Sequence, residues 1–336
     1  MPNNDVHVNK LSEDTKKSMA SRIAMAIIIV LIVLPSVLIG DYLLFALVLF
    51  VLCISGYELI RTTKASYKSD FKIYIATLFS TAIPFILTPI LTNMELGAPV
   101  YDLVHGFSSF RFISFFIFLI FISNFLIVLT DKNFSISLAF YFISMEIFIY
   151  LGSLSIMYLR NIPLLKPLDA ANVGTNVYDS FVGLDSRLFF SALLLIYIAM
   201  GAILNDVFAY FVGVLFGKHK MCPNISPKKT WEGFFGGVIL STLFTFSIAL
   251  SLSASSLPLF QTFTFDRWYI YLIISLIAPL LGTVGDLIFS SIKRHFGIKD
   301  FGTLLGAHGG ILDRMDSLYI TFIFATTIIE LVVPLI

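Results

Sequence analysis

The chain has 336 residues, of which 58% are hydrophobic and only 13% charged; its mean hydropathy is +0.93 and its formal net charge +1. These values exclude soluble globular usage and fit a polytopic membrane protein, for which the net charge matters less than the side on which each Lys and Arg falls. Cys53, in an apolar run, and Cys222, in a basic segment, offer neither a metal-ligand spacing nor a disulfide framework, as on a reduced cytosolic face.

Residues 1–22 are polar and carry Lys10, Lys16, Lys17 and Arg22. They lack the small-residue cleavage pattern of a secretory signal, so the expected start is a cytosolic tail followed by an uncleaved first span. Crossing about 30 Å of hydrocarbon takes about 17–25 residues of helix. Apolar runs of that kind lie near 23–40, 42–60, 72–91, 110–130, 135–159, 188–216, 234–254, 267–290 and 316–336. The expected fold is therefore an all-α polytopic membrane protein of about nine transmembrane helices. Gly40 and Asp41 leave almost no loop before the second run, which either crosses fully or forms a half-buried segment.

Nine spans put the termini on opposite sides. With the N-terminus inside, 17 of the 22 Lys and Arg residues fall on the inner side, leaving Arg111, Arg160, Lys166, Arg187 and Arg267 outside. The positive-inside bias thus predicts a cytosolic N-terminus, an external C-terminus, and cytosolic segments at 217–233 and 291–315. The outer loop at 160–187 carries mixed charge and no motif, and reads equally as a lid, a dimer contact or a linker. No internal repeat and no interdomain linker is present, so one membrane domain is expected.

A carboxylate at the centre of a spanning helix costs about 2.5–3.5 kcal/mol on insertion scales. Glu58, beside Arg61 near a helix end, and Glu146, in mid-helix, read as interhelical hydrogen bonders or end groups. Asp206 has another context: Asp206, Tyr210, Gly213 and Gly217 share one helical face leading to a basic segment with Ser226, Lys228, Lys229, Thr230 and Glu232 around Pro223 and Pro227. Taken alone, those lysines are an ordinary positive-inside loop. Between two acidic motifs, they suit a polyphosphate. The small residues also permit close helix packing.

In the eighth run, Asp286, Ser290, Lys293 and Arg294 follow one another at helical spacing on one face, and Pro279, Gly282 and Gly285 allow a kink or an opening there. From Ser290 to Asp316 the chain gathers Lys293, Arg294, His295, Lys299, Asp300, His308, Asp313, Arg314 and Asp316 around five glycines. Asp313 and Asp316 share a face at the start of the last run, where capping and phosphate or metal binding both operate.

The residues Ser290, Lys293, Arg294, Lys299, Asp300, Gly302, Leu305, Gly306, His308, Gly309, Gly310, Asp313, Arg314 and Asp316 fill, without a gap, the signature of the phosphatidate cytidylyltransferase (CDP-diacylglycerol synthase) family, which the chain resembles from about residue 200 to 317. Asp206, Ala209, Tyr210, Gly213, Gly217 and Lys218, then Ser226 to Thr230 with Glu232 and Gly233, also resemble it. One departure is Phe289, where many bacterial members carry Glu before the signature Ser.

The resemblance implies transfer of CMP from CTP to phosphatidic acid, giving CDP-diacylglycerol and pyrophosphate, with Mg2+ and room for a second ion, divalent or K+. It implies Asp286, Asp313 and Asp316 as metal ligands, and Ser226, Lys228, Lys229 and Thr230 as the holders of the CTP phosphates. Asp206, Lys293, Arg294, His308 and Arg314 are the implied catalytic residues. It further implies a homodimer in the plasma membrane with its site toward the cytoplasm, CTP, phosphatidic acid and membrane lipids as partners, and no nucleic acid. The division that follows is a cytosolic tail at 1–22, an N-terminal transmembrane region at 23–187 and a catalytic transmembrane region at 188–336. The alternative is a related CDP-lipid synthase or polyisoprenoid lipid kinase, which share parts of this architecture. A transporter does not fit, because the motif-bearing polar residues gather at the cytosolic helix ends.

Overall fold

The computed structural model describes residues 13–63, 71–108, 111–165, 186–254, 259, 267–306 and 309–332. Among them are nine long helices, matching the nine apolar runs: α1 (Glu13–Ile39), α2 (Asp41–Thr62), α3 (Phe71–Leu96), α5 (Ile113–Thr130), α6 (Ile136–Leu165), α7 (Ser186–Phe216), α8 (Trp231–Ala254), α9 (Trp268–His295) and α10 (Leu312–Val332). A one-turn helix, α4 (Leu103–Gly106), joins α3 to α5. Seven of the long helices are apolar and long enough to cross a membrane. The other two are α1, whose apolar stretch is the shorter Ile23–Ile39, and α10, which carries Asp313, Arg314, Asp316 and Glu330. The chain is an integral membrane protein with one departure from an all-α fold: the basic segment after α7 is a small antiparallel hairpin, β1 (Lys220–Cys222) and β2 (Ser226–Thr230).

Helix α6 is the most enclosed of the candidate spans and packs against α2, α3, α5, α7 and α10. Two of its buried polar groups are satisfied by neighbouring helices. Glu146 Oε2 accepts from Ser80 Oγ and Asn124 Nδ2, both at 2.8 Å, and Tyr150 shares a hydrogen bond of 3.0 Å with Thr88. Around the outside, large apolar side chains such as Leu31, Phe118, Leu129 and Leu243 stay exposed, as a lipid-facing surface requires.

The turn between α1 and α2 answers how the second run lies. Gly40 (φ 73) and Asp41 (φ 47) reverse the chain in the left-handed region. The buried Arg160 guanidinium closes the turn by donating from Nε to Val37 O at 2.6 Å and from Nη2 to Leu38 O at 2.9 Å. A Cβ on Gly40 would lie 2.7 Å from Arg160 Nη2, so only glycine leaves room for that cap. From this turn α2 runs the length of the bundle to Glu58, which meets the start of α10. The 22 residues of α2 form a helix apolar and long enough to cross a membrane.

Proline does not open α9. Pro279 cannot donate to the carbonyl of Ser275, and Thr242 Oγ1 on α8 donates to that carbonyl at 3.1 Å instead. Of the kink or opening that the sequence allowed, no opening forms: the helix continues unbroken, and the freed carbonyl makes an α8–α9 contact. Small residues set how closely the C-terminal helices approach. A Cβ on Gly237 would lie 2.8 Å from Ala209 Cβ on α7, and one on Gly285 would meet Asp316 O on α10.

Candidate active site

The exit of α7 and the hairpin form one wall of a cavity of about 640 Å³. Asp206, Tyr210, Gly213 and Gly217 line it together, as their helical spacing predicts. Trp231 N donates to His219 O at 3.0 Å where the hairpin closes, and Glu232 straps its start by accepting from Lys218 N at 3.1 Å and pairing with His219 Nδ1 at 2.5 Å. Thr230 caps α8: its Oγ1 accepts from Gly233 N at 3.2 Å. The same threonine packs against Gly213 and Gly217, which pins the hairpin to α7 and brings Lys220, Lys228 and Lys229 to the cavity.

Helices α9 and α10 supply the opposite wall. Asp286 Oδ2 receives Lys229 Nζ at 2.5 Å, and its Oδ1 faces Ser290 Oγ at 3.4 Å. One helical stretch further on, Lys293 is nearly buried, with Nζ 2.8 Å from Asp313 Oδ1 and 3.9 Å from Asp316 Oδ2, over the ring of Phe301. Asp313 is engaged on both oxygens, since its Oδ2 accepts from Phe301 N at 2.8 Å and Gly310 N at 2.9 Å. Asp206, Asp286 and Asp316 are near enough to repel one another, and Lys229 and Arg314 both attract Asp206. Carboxylates crowded into a half-dry cavity need cations, and here the lysines serve.

Of the residues singled out from the sequence, Asp206, Lys228, Lys229, Thr230, Asp286, Lys293, Asp313, Arg314 and Asp316 line this one cavity. Ser226 and Arg294 do not. Arg294 turns to the backbone, donating from Nε to Ile225 O at 3.3 Å and from Nη1 to Ile298 O at 3.1 Å, so it ties the hairpin tip to the end of α9. His308 and most of the 160–187 loop lie outside the described residues. Asn205, Lys220 and Thr283 also line the cavity and stand outside the set picked from the sequence; Asp300, a signature residue to which no role was given, lines it too. Phe289 faces away from it, buried between the rings of Phe148 and Phe301 at 5.4 and 5.8 Å.

Among the described residues, no three His, Cys, Asp or Glu side chains stand close enough to form a metal cage. That does not conflict with Mg2+, which typically takes one or two carboxylates and completes its shell with substrate phosphates and water. Asp286 and Asp316 suit such a role, since both line the cavity and each turns an oxygen toward a lysine.

The sequence profile of the Cytidylyltransferase family matches residues 20–332, nearly the whole chain. The chain belongs to that family. The match extends well upstream of the Ser290–Asp316 signature, so the N-terminal helices are part of the family's architecture. Among curated relatives, a phosphatidate cytidylyltransferase of Staphylococcus saprophyticus is 46% identical over 114 residues, 34% of this chain and 40% of the relative. Phosphatidate cytidylyltransferases of Staphylococcus haemolyticus and Staphylococcus aureus are 45% and 46% identical over the same length and shares. The aligned stretch spans about 40% of the length of each of these relatives.

Proposed function

We propose that this member of the cytidylyltransferase family transfers CMP from CTP to phosphatidic acid, forming CDP-diacylglycerol and pyrophosphate. The observation that carries the reading is the single cavity in which Lys228, Lys229, Lys293 and Arg314 interleave with Asp206, Asp286 and Asp316. Its lining includes Tyr210 and Val214 of α7, hydrophobic side chains that stay two-thirds exposed. A charged pocket bordered by apolar surface suits a phosphate that is carried on two acyl chains.

In this reaction an ionised phosphatidate oxygen attacks the α-phosphorus of CTP. A phosphorus–oxygen bond forms as the bond to the bridging oxygen breaks, and the electron pair leaves with pyrophosphate. The nucleophile is already an anion, so no general base is required. The barrier lies in bringing two anions together and in the charge that grows on the leaving group, which fixed cations lower. Lys228 and Lys229 would hold the triphosphate, on a hairpin shaped by Ser226 and Thr230. Lys293 and Arg314 would hold phosphatidate or the departing pyrophosphate.

Bound Mg2+ supplies neutralisation of the phosphate oxygens. Asp286 and Asp316 would hold it beside Asp206, while Asp313 would join them only by giving up Lys293. Binding of the triphosphate would draw Lys229 off Asp286 and free that carboxylate. The same reading puts the cavity on the cytoplasmic side of the plasma membrane, where CTP is, and by family resemblance makes the protein a homodimer.

Purified protein given labelled CTP, Mg2+ and phosphatidate should form a labelled CDP-lipid, with polyprenol as an inactive acceptor. If no Mg2+-dependent CDP-lipid appears, the proposal fails. In intact cells or right-side-out vesicles, Lys299→Cys should be shielded from an impermeant thiol reagent and Thr175→Cys should react; the reverse pattern overturns the orientation.

A further inference from the structure

Glu58 is buried at the far end of α2, outside the cavity, and the reaction as written does not use it. Its partners are neither of the kinds that a charged residue in an apolar helix usually finds, a neighbouring helix's side chain or the membrane surface. Oε1 accepts from Ile311 N at 3.1 Å and Oε2 from Leu312 N at 2.8 Å, two amides at the very start of α10 and more than 250 residues away in sequence. Helix starts leave such amides without an intrahelical acceptor, and a carboxylate there meets both the free N–H groups and the positive end of the helix dipole.

The segment that leads into α10 is built around this carboxylate. A Cβ on either Gly302 or Gly310 would overlap the Glu58 carboxyl group, and those atoms are the nearest that each would meet. Arg61, one turn further along α2, reaches Thr303 Oγ1 at 3.4 Å. From the cavity side, Asp313 Oδ2 takes the amides of Phe301 and Gly310. Residues 301–303 and 310–312 are thus held between two carboxylates, one belonging to the cavity and one belonging to the N-terminal helices.

We propose that Glu58 is a positioning residue for the transfer: by clamping residues 302–303 and 310–312 to α2, it sets where Asp313, and with it Lys293 and Arg314, stand in the cavity. The inference rests on the reaction proposed above. Asp313 directs the Lys293 ammonium, and Arg314 follows Leu312 by two residues, so a slack clamp moves cations that must meet charge developing in the transition state. Displacement of reacting groups by about 1 Å costs on the order of 10²-fold in rate. The hairpin that carries Lys228 and Lys229 has its own supports in Thr230, Glu232 and Arg294, so CTP binding is held independently.

The test is a double-mutant cycle with Glu58→Ala and Gly302→Ala, read as kcat and KM for CTP and as hydrogen–deuterium exchange over 301–312. Glu58→Ala should lower kcat by roughly 10- to 100-fold with little change in KM for CTP. Glu58→Gln, which keeps one acceptor oxygen, should recover part of the loss. Gly302→Ala alone should also lower kcat, because its methyl group pushes the carboxylate aside. In the Glu58→Ala background that methyl group has room, so the double variant should be no worse than Glu58→Ala. Multiplying effects, or a wild-type kcat in folded Glu58→Ala protein, would overturn the inference. If Glu58→Ala fails to fold, Gly302→Ala is read by itself: its kcat should fall with KM for CTP kept, and an unchanged kcat overturns the inference. Exchange over 301–312 should quicken in the Glu58 variants whether or not turnover is measurable, and unchanged exchange there sinks the clamp. Absence of CDP-lipid from the unaltered protein strikes the reaction instead.

Discussion

Glu146 and Asp286 are both carboxylates within apolar helices, yet the two ends of the molecule satisfy them differently. Glu146 lies among α3, α5 and α6, sealed from solvent, and receives hydrogen bonds from the neutral donors Ser80 and Asn124. Asp286 lies on a cavity, a quarter exposed, and receives the ammonium of Lys229. Donors fixed by helix packing cannot leave without breaking the core. A lysine on a hairpin can, once a ligand offers it a better anion. The contrast separates a polar group that specifies a fold from one held ready for chemistry.

The sharpest way to break the comparison is Asp286→Asn. Turnover should fall by at least about 10²-fold, as for loss of a group that stabilises the transition state, while the purified protein keeps its thermal midpoint. Near-normal activity would remove Asp286 from the metal-binding set. Arg294→Ala should act more weakly, because Arg294 touches the hairpin backbone and not the cavity. It should raise KM for CTP several-fold with kcat kept, and an equal fall in kcat would place Arg294 on the substrate after all. The smallest effect on turnover should come from Glu146→Gln. That change keeps the shape and one acceptor, costs about 1 kcal/mol of stability in detergent unfolding, and leaves turnover unchanged; lost activity with intact stability would reverse the distinction drawn here.

The two kinds of carboxylate were not equally legible. Asp206 and Asp286 stood out because helical spacing tied each to small residues and to lysines, and both line the cavity. Glu146 read as an interhelical hydrogen bonder, and is one. Glu58 was read the same way, but its acceptor role points at backbone amides that carry no mark in the side-chain pattern. The glycines at 302 and 310 are the trace that could have led to it. Pro279 suggested an opening in α9; the hydroxyl that fills its missing bond belongs to Thr242, on a different helix. The hairpin after α7 was missed because strands of three and five residues, half exposed, are too short to show alternation.

Sequence alone determined that this chain lives in a membrane, because burying so much apolar surface leaves no other solvent; it also determined the nine long helices, the segments rich in cations, and the signature shared with the family. Which charges face which was decided only by the fold. Helical phase places a side chain on a face, but says nothing of the helix opposite. The pairing of Lys229 with Asp286, the lock of Asp313 on Lys293 and two amides, and the reach of Glu58 across the whole chain each need elements that are remote in sequence to be packed side by side.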